Sequence, residues 1–211
     1  MKTFLYSLIG IFCLTSISSF AQTPFKFGAY AGISSANMNF NNITTARSGR
    51  YDSKPGIRLG AFAEYVYSPL LSFAGDLSYI QNGTKSKDII FTRKANNQMG
   101  FEELGTLDVR YDYIAFAPMV KVRYEGASVI PFVAAGPNVN FLVGTNEQGD
   151  FKTYNKMVLG YSAGIGTEIN VNLPFSLMLE LLYNHDITYA YNTDYFKVRN
   201  YSFAFQLGVK F

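Results

Sequence analysis

The sequence predicts an all-β fold: an eight-stranded antiparallel up-and-down transmembrane β-barrel. Three observations predict it. The first is strict alternation of bulky apolar residues with small or polar ones, clearest at the end of the chain. There Tyr201, Phe203, Phe205, Leu207, Val209 and Phe211 alternate with Ser202, Ala204, Gln206, Gly208 and Lys210. Such a period makes a strand with two chemically opposite faces. The second is repetition of the same division in strand after strand, with Gly, Ser, Glu or Lys opposite the bulky face. A water-soluble core built this way would be starved of apolar volume. Inverted, the bulky face meets acyl chains and the polar face lines a lumen. The third is the alternation of long and short connections between an even number of strands, as bacterial barrels require.

Composition agrees with this reading. The chain has 211 residues, enough for one domain. Charged residues are 16% and aromatic residues 17%, all Tyr and Phe because Trp is absent. Mean hydropathy is +0.05, because lumen residues offset lipid-facing ones. A net charge of +3 without a basic run gives no expectation of a nucleic-acid partner.

Residues 1–21 read as a cleaved signal peptide and 22–211 as the barrel domain. Lys2 supplies a positive start, and Phe4 to Ile17 is mostly apolar. Ser19 and Ala21 stand at −3 and −1 of a cleavage site before Gln22. The only cysteine, Cys13, lies in this leader, and the preceding Phe12 is too large for a lipoprotein site. The mature chain is therefore expected to lack disulfides and thiolate metal sites.

Taken in order, strand one sets Phe25, Phe27, Ala29, Ala31 and Ile33 against Lys26, Gly28, Tyr30, Gly32 and Ser34. A long loop is expected from Asn37 to Pro55. Strand two, from about Gly56 to Tyr67, has Ile57, Leu59, Ala61 and Ala63 outward, with Arg58, Gly60, Phe62 and Glu64 inward. Ser68-Pro69 turns into strand three, where Leu71, Phe73, Leu77 and Tyr79 oppose Ser72, Asp76 and Ser78. A second long connection is expected over Gln81–Thr106. Strand four, about Leu107 to Tyr124, places Ile114, Phe116, Pro118, Val120 and Val122 outward. Pro118 lacks an N–H, so a bulge or break in the ladder is expected there.

Strand five sets Val133, Ala135, Val139 and Phe141 against Ala134, Gly136, Asn138 and Asn140. After a medium loop over Gly144–Asn155, strand six sets Leu159, Tyr161, Ala163 and Ile165 against Gly160, Ser162, Gly164 and Gly166. Strand seven follows the Asn170–Pro174 turn, with Phe175, Leu177, Leu179, Leu181 and Tyr183 outward. His185–Arg199 reads as the last long loop, and strand eight starts at Asn200. Strands of this length suit a tilted crossing, for which about 9–11 residues suffice. Tyr65, Tyr67, Tyr79, Tyr124, Tyr161, Tyr183 and Tyr201 fall where an interfacial belt is expected.

By parity the lumen receives an ionic set: Lys26, Arg58, Lys121, Arg123 and Lys210, with Glu64, Asp76, Glu168 and Glu180. Charges so confined are expected to pair. The expected role of this set is structural, a plug that satisfies itself. A selective pore is the alternative.

Several segments resemble the porin-like outer-membrane β-barrel family common in Bacteroidota, often called PorT-like. They are Phe20-Ala21-Gln22, Ala31-Gly32-Ile33-Ser34-Ser35-Ala36-Asn37, Gly60-Ala61-Phe62-Ala63-Glu64-Tyr65, Ala135-Gly136-Pro137, Glu180-Leu181-Leu182-Tyr183-Asn184 and Gly208-Val209-Lys210-Phe211. Strand four departs, with Ala115 and Ala117 where relatives more often carry Glu and Pro. The resemblance implies a multi-pass barrel in the bacterial outer membrane, and the alternation of long external loops with short turns leads to the expectation that both termini are periplasmic. Its final aromatic, Phe211, resembles the signal read by the barrel-assembly machinery. Outer-membrane lipid and a protein partner bound through external loops complete the expected partners; some relatives serve secretion or gliding systems.

No catalytic residue, cofactor or metal is expected. The one histidine, His185, lies beside Asp186, and Ser202 is the serine that a lipid-modifying enzyme would pair with it. No motif surrounds either. The function expected is thus that of a non-enzymatic outer-membrane barrel acting through loops or a membrane complex. The alternatives are a small-solute channel, an outer-membrane lipid-modifying enzyme and a soluble lipocalin-like barrel.

Overall fold

The computed structural model describes the backbone of residues 24–42, 52–93, 101–124, 128–146, 154–171, 173–192 and 196–211. The expected signal peptide and the middle of the expected Gln81–Thr106 connection lie outside these residues. Nine strands are described: β1 (Phe25–Asn42), β2 (Asp52–Val66), β3 (Leu71–Arg93), β4 (Phe101–Arg123), β5 (Val129–Thr145), β6 (Met157–Asn170), β7 (Ser176–Asp186), β8 (Tyr191–Asn192) and β9 (Phe196–Lys210). Eight form one antiparallel sheet in sequence order, and β9 returns to pair with β1. That seam runs from Gly28↔Lys210 to Asn42↔Phe196. Reciprocal bonds between the backbones of Phe27 and Phe211 (3.2 and 2.8 Å) extend it to the chain end. Closure leaves no sheet edge to be satisfied in hydrocarbon. The two-residue β8 is an addition to the expected eight; it pairs with β9 and makes one isolated bridge, Tyr154↔Tyr191.

The walls are oriented as the alternation requires. Phe203, Phe205 and Leu207 are about half exposed (50%, 48% and 53%), whereas Ala204 and Gln206 are 1% and 2% exposed. Facing acyl chains, the exposed row costs nothing; facing water it would be a large apolar patch.

Strand ends differ from expectation. β1 continues to Asn42 and β2 begins at Asp52, so much of the Asn37–Pro55 loop is strand. β3 and β4 extend to Arg93 and back from Phe101, within the expected Gln81–Thr106 loop. β5 continues to Thr145, His185 and Asp186 belong to β7, and β9 starts at Phe196. The reason is an inversion of the pattern. On β4, Val109, Tyr111 and Tyr113 are buried inward, with Asp108, Arg110 and Asp112 on the other face. Below Tyr113 the order reverses: Ile114 and Phe116 are exposed outward, and Ala115 and Ala117 are inward. The chain thus leaves hydrocarbon at about this level. Beyond it, water bathes the outside and apolar side chains turn in to form a small core.

The β4–β5 seam lacks backbone donors at its prolines. Tyr124 N donates to Pro131 O at 3.0 Å, which fixes which residues aim their N–H groups at the seam: even ones on β4 and odd ones on β5. Pro118, Pro131 and Pro137 all occupy such positions. The ladder is interrupted between Phe116↔Val139 and Val120↔Ala135, where Pro118 and Pro137 stand opposite each other. A break at Pro118 was expected. The register is unchanged across it, and the one shift in this pairing lies at Asp112/Tyr113.

Candidate functional site

The lumen is filled in layers, and its charged residues come from most of the strands. At the short-turn end, Glu64 of β2, Lys121 and Arg123 of β4, Glu168 of β6 and Lys210 of β9 converge. Glu64 is fully buried, and its Oε2 lies 3.3 Å from Lys121 Nζ and 3.5 Å from Lys210 Nζ. Arg123 Nη1 approaches Glu64 Oε1 at 3.7 Å, and Ser72 Oγ donates to the same oxygen at 2.7 Å. Glu168 bridges Lys121 through one oxygen and Lys210 through the other. Each carboxylate thus faces at least two cations. Buried ions tolerate the loss of water only with this kind of pairing and added hydrogen bonding.

Above lies a layer of rings and sulfur: Tyr30, Phe62, Phe132, Ala134 and Met178, with Met119 against them. Lys121 Nζ is 3.8 Å from the Phe132 centroid, so one cation serves both layers. Inward glycines make the space. A Cβ on Gly28 would strike the Phe62 ring, and one on Gly60 the Tyr30 ring. The remaining enclosed space here is about 20 Å³, room for about one water molecule.

Tyr30 hands on to a second ionic group. Its hydroxyl donates to Asp76 Oδ2 at 2.6 Å and accepts from Arg58 Nε at 3.1 Å. Arg58 Nη2 bonds Asp76 Oδ1 at 2.9 Å, and Nη1 reaches Asn184 Oδ1 at 3.4 Å. Nearby, Gln206 Nε2 donates to Glu180 Oε2 at 2.6 Å. Asn184 leads into a neutral chain: Ser162 Oγ donates to its carbonyl at 2.7 Å, and Asn138 Nδ2 donates to Ser162 at 2.8 Å. Asp186 then accepts from Asn140 Nδ2 (3.1 Å) and Asn200 Nδ2 (2.8 Å). Asn200 Nδ2 also lies 3.3 Å from the Tyr113 hydroxyl. The loop end is capped by Met38, Val109, Tyr111, Tyr113, Val158 and Val198, with Tyr154 and Tyr191 packed against them.

Of the nine charges assigned to the lumen by parity, Arg58, Glu64, Asp76, Lys121, Arg123, Glu168, Glu180 and Lys210 are buried there. Lys26 is half-buried near the turn end and makes no salt bridge among the described residues. His185 and Ser202 are not brought together. His185 is on the outer wall, with Nδ1 3.3 Å from the Tyr183 hydroxyl and its ring against Tyr161. Ser202 is buried inside, where its Oγ accepts from Asn184 Nδ2 at 3.4 Å. Among the described residues no cluster of His, Cys, Asp or Glu is able to hold a metal ion.

Sequence reasoning missed the second half of the network. Asp186 and Asn200 fell inside or at the edge of a supposed loop. Tyr30 and Gln206 were placed inward without a role. The available signal was parity itself, continued past the point where the outward residues turn polar.

The comparisons with known proteins fit this architecture. A search of curated proteins finds no match. Among solved structures, the chain is similar to Neisserial surface protein A, with 18% identity and a TM-score of 0.54, over 90% of this chain and 98% of that one. It is also similar to the outer membrane protein OprG from Pseudomonas aeruginosa, with 10% identity and a TM-score of 0.53, over 89% and 95% of the two chains. At these identities the likeness concerns the fold. The profile of the outer membrane protein beta-barrel domain matches residues 7–211. A closed eight-stranded barrel, apolar without and ion-paired within, thus belongs to the outer membrane protein beta-barrel domain family of the bacterial outer membrane.

Proposed function

We propose that this chain is a non-enzymatic outer-membrane barrel of the porin-like, PorT-like kind, closed along its axis, that acts through its loop-end hairpins or a membrane partner. The observation that carries the reading is the filled lumen. Seven buried charges are held in ion pairs and Glu180 by Gln206, beneath an apolar cap and around a space of about 20 Å³. A passage for hydrated solutes needs a wet bore, and this arrangement argues against one.

The hairpin extensions supply what the lumen does not. β3 and β4 are 23 residues each, far beyond the length that crosses a bilayer. Extended ribbons of this kind present loops for recognition. We place the termini and short turns in the periplasm and the hairpins outside. Outer-membrane lipid and the assembly machinery, reading Phe211, are the general partners. The specific partner is a protein bound at the hairpins, and no nucleic acid takes part.

Planar-bilayer recording tests the closed lumen. The refolded chain should insert without raising the conductance above that of the bare membrane. Stable open levels that vary with its concentration would make it a small-solute channel instead. Affinity capture from outer membranes with the intact chain, against one shortened to Ser86 and Leu107 in the β3–β4 hairpin, tests the hairpins. Identical captured proteins would remove them as the functional element.

A further inference from the structure

On the outer wall at the loop end, two cations stand where no acid among the described residues answers them. Lys197 and Arg199 continue the odd-numbered face of β9 that lower down carries Tyr201, Phe203 and Phe205. They are the first outward residues of that strand past the inversion, since Val198 and Asn200 beside them are buried inward. Immediately below, the pairings Tyr161↔His185 and His185↔Tyr201 lay a row of interfacial rings across β6, β7 and β9. The cations therefore sit one step above the belt, at the depth where acyl chains give way to headgroups.

Both are held rather than free to wander. Arg199 Cζ lies 4.4 Å and Lys197 Nζ 5.4 Å from the centre of the Tyr189 ring. The Tyr189 carbonyl accepts from Asn155 Nδ2 at 2.7 Å, and the next residue, Ala190, bonds Val198 of β9 through its N–H at 2.9 Å. The ring is thus anchored to the same ribbon that carries the cations. Among the described residues no carboxylate lies within ion-pairing distance of either side chain; Asp186, on the neighbouring strand, is inside the lumen and accepts from Asn200. Arg199 is half-buried on the wall, and an anion at the outer end of its guanidinium would offset the lost hydration of its charge. A guanidinium fork beside an ammonium, preorganised on an aromatic face, offers donors enough for the several oxygens of a phosphate group.

We propose that Lys197 and Arg199, clamped on Tyr189, form a binding site for the phosphate of an outer-leaflet glycolipid. The acyl chains of that lipid would lie along the wall below, over Tyr201, Phe203 and Phe205. The site rests on the reading that the loop end faces the cell exterior, because phosphorylated glycolipid is confined to that leaflet.

The test uses the full mature chain refolded into nanodiscs of neutral phospholipid. Bis-phosphorylated lipid A and its phosphate-free form are added separately, and bound lipid is counted by native mass spectrometry. The phosphorylated form should be retained selectively, and Lys197→Gln with Arg199→Gln should lower its affinity by about tenfold or more. Lys85→Gln, on a different face, should leave it unchanged. Arg199→Lys should recover only part, since the charge returns without the fork. Heat-modifiable gel mobility confirms that each variant is folded. Equal retention of both lipids, or no loss in the double variant, overturns the site. Competition by millimolar inorganic phosphate that matches lipid A would show a plain anion site and overturn the glycolipid assignment. Lys156→Cys, probed on whole cells with a membrane-impermeant maleimide, separates the orientation from the site. Labelling without lipid selectivity overturns the site alone, while protection from the reagent overturns the orientation and the site together.

Discussion

Replacing Glu64 by Gln should unbalance the turn-end ionic layer. The fully buried carboxylate faces Lys121, Lys210 and Arg123 at 3.3, 3.5 and 3.7 Å. After the change, three cations share the single charge of Glu168. The amide keeps the Ser72 hydrogen bond and the volume, so the loss is electrostatic. Removing one partner of a buried ion pair costs about 3–5 kcal/mol, and the retained hydrogen bond puts this variant near 3 kcal/mol. Urea unfolding in phospholipid vesicles, followed by circular dichroism, reads the value. The midpoint should fall while the slope stays constant, since the surface exposed on unfolding is the same. Adding Lys121→Met should restore part of the stability, because one of the uncompensated cations is gone. A loss below about 0.5 kcal/mol, of the size seen at exposed sites, would mean that water reaches this layer and would refute the reasoning.

Three further outcomes follow from other parts of the wall. Joint replacement of Pro118 and Pro137 by Val restores two donors to the β4–β5 seam and should stabilise the barrel by about 1–3 kcal/mol. Hydrogen exchange should show the Val120 and Val139 amides slowed in that variant, and unchanged exchange would contradict the assigned donor directions. Gly60→Ala forces the Tyr30 ring from its site between Arg58 and Asp76 and should cost about 1–3 kcal/mol in the same urea assay. Outside the membrane, a hydrogen bond from Lys54 holds the Asp108 carboxyl below the usual carboxylate range, with Lys85 adding to the effect. A depressed native value means that the contact is complete above the ordinary carboxylate range and is lost as the pH falls through the lowered value. Amide exchange in the β3–β4 extension should therefore accelerate only in strong acid, and Asp108→Asn should abolish that step.

Parity carried most of the fold. From Phe25 to Phe211 the side of the wall taken by each residue in the hydrocarbon zone was readable, and with it eight of the nine lumen charges. Lys26 shows where parity stops: an inward position at the turn end is still near water, so its charge does not have to pair. The strand ends were illegible for a different reason. Above Ile114 and Tyr201 the outside becomes wet, so Asp108, Arg110, Lys197 and Arg199 on the outer face resembled loop while the ladder continued. The inner cap of Val109, Tyr111 and Val198 is the counterpart of that inversion. Partnerships were beyond the sequence altogether. Nothing in the spacing of Tyr30, Arg58 and Asp76 shows that the phenol lies between the two charges, because three strands must first be set in register.

The central claim is that bulky residues face hydrocarbon and charged ones are enclosed. It is tested most directly by nitroxide labels placed singly at positions 202–208 in a Cys13→Ser background, with collision rates for oxygen measured in bilayers. The account predicts high oxygen accessibility at 203, 205 and 207, and low accessibility to oxygen and to polar reagents alike at 202, 204 and 206. High accessibility of 204 and 206 to a water-soluble nickel chelate would contradict it, as would the reverse parity for oxygen.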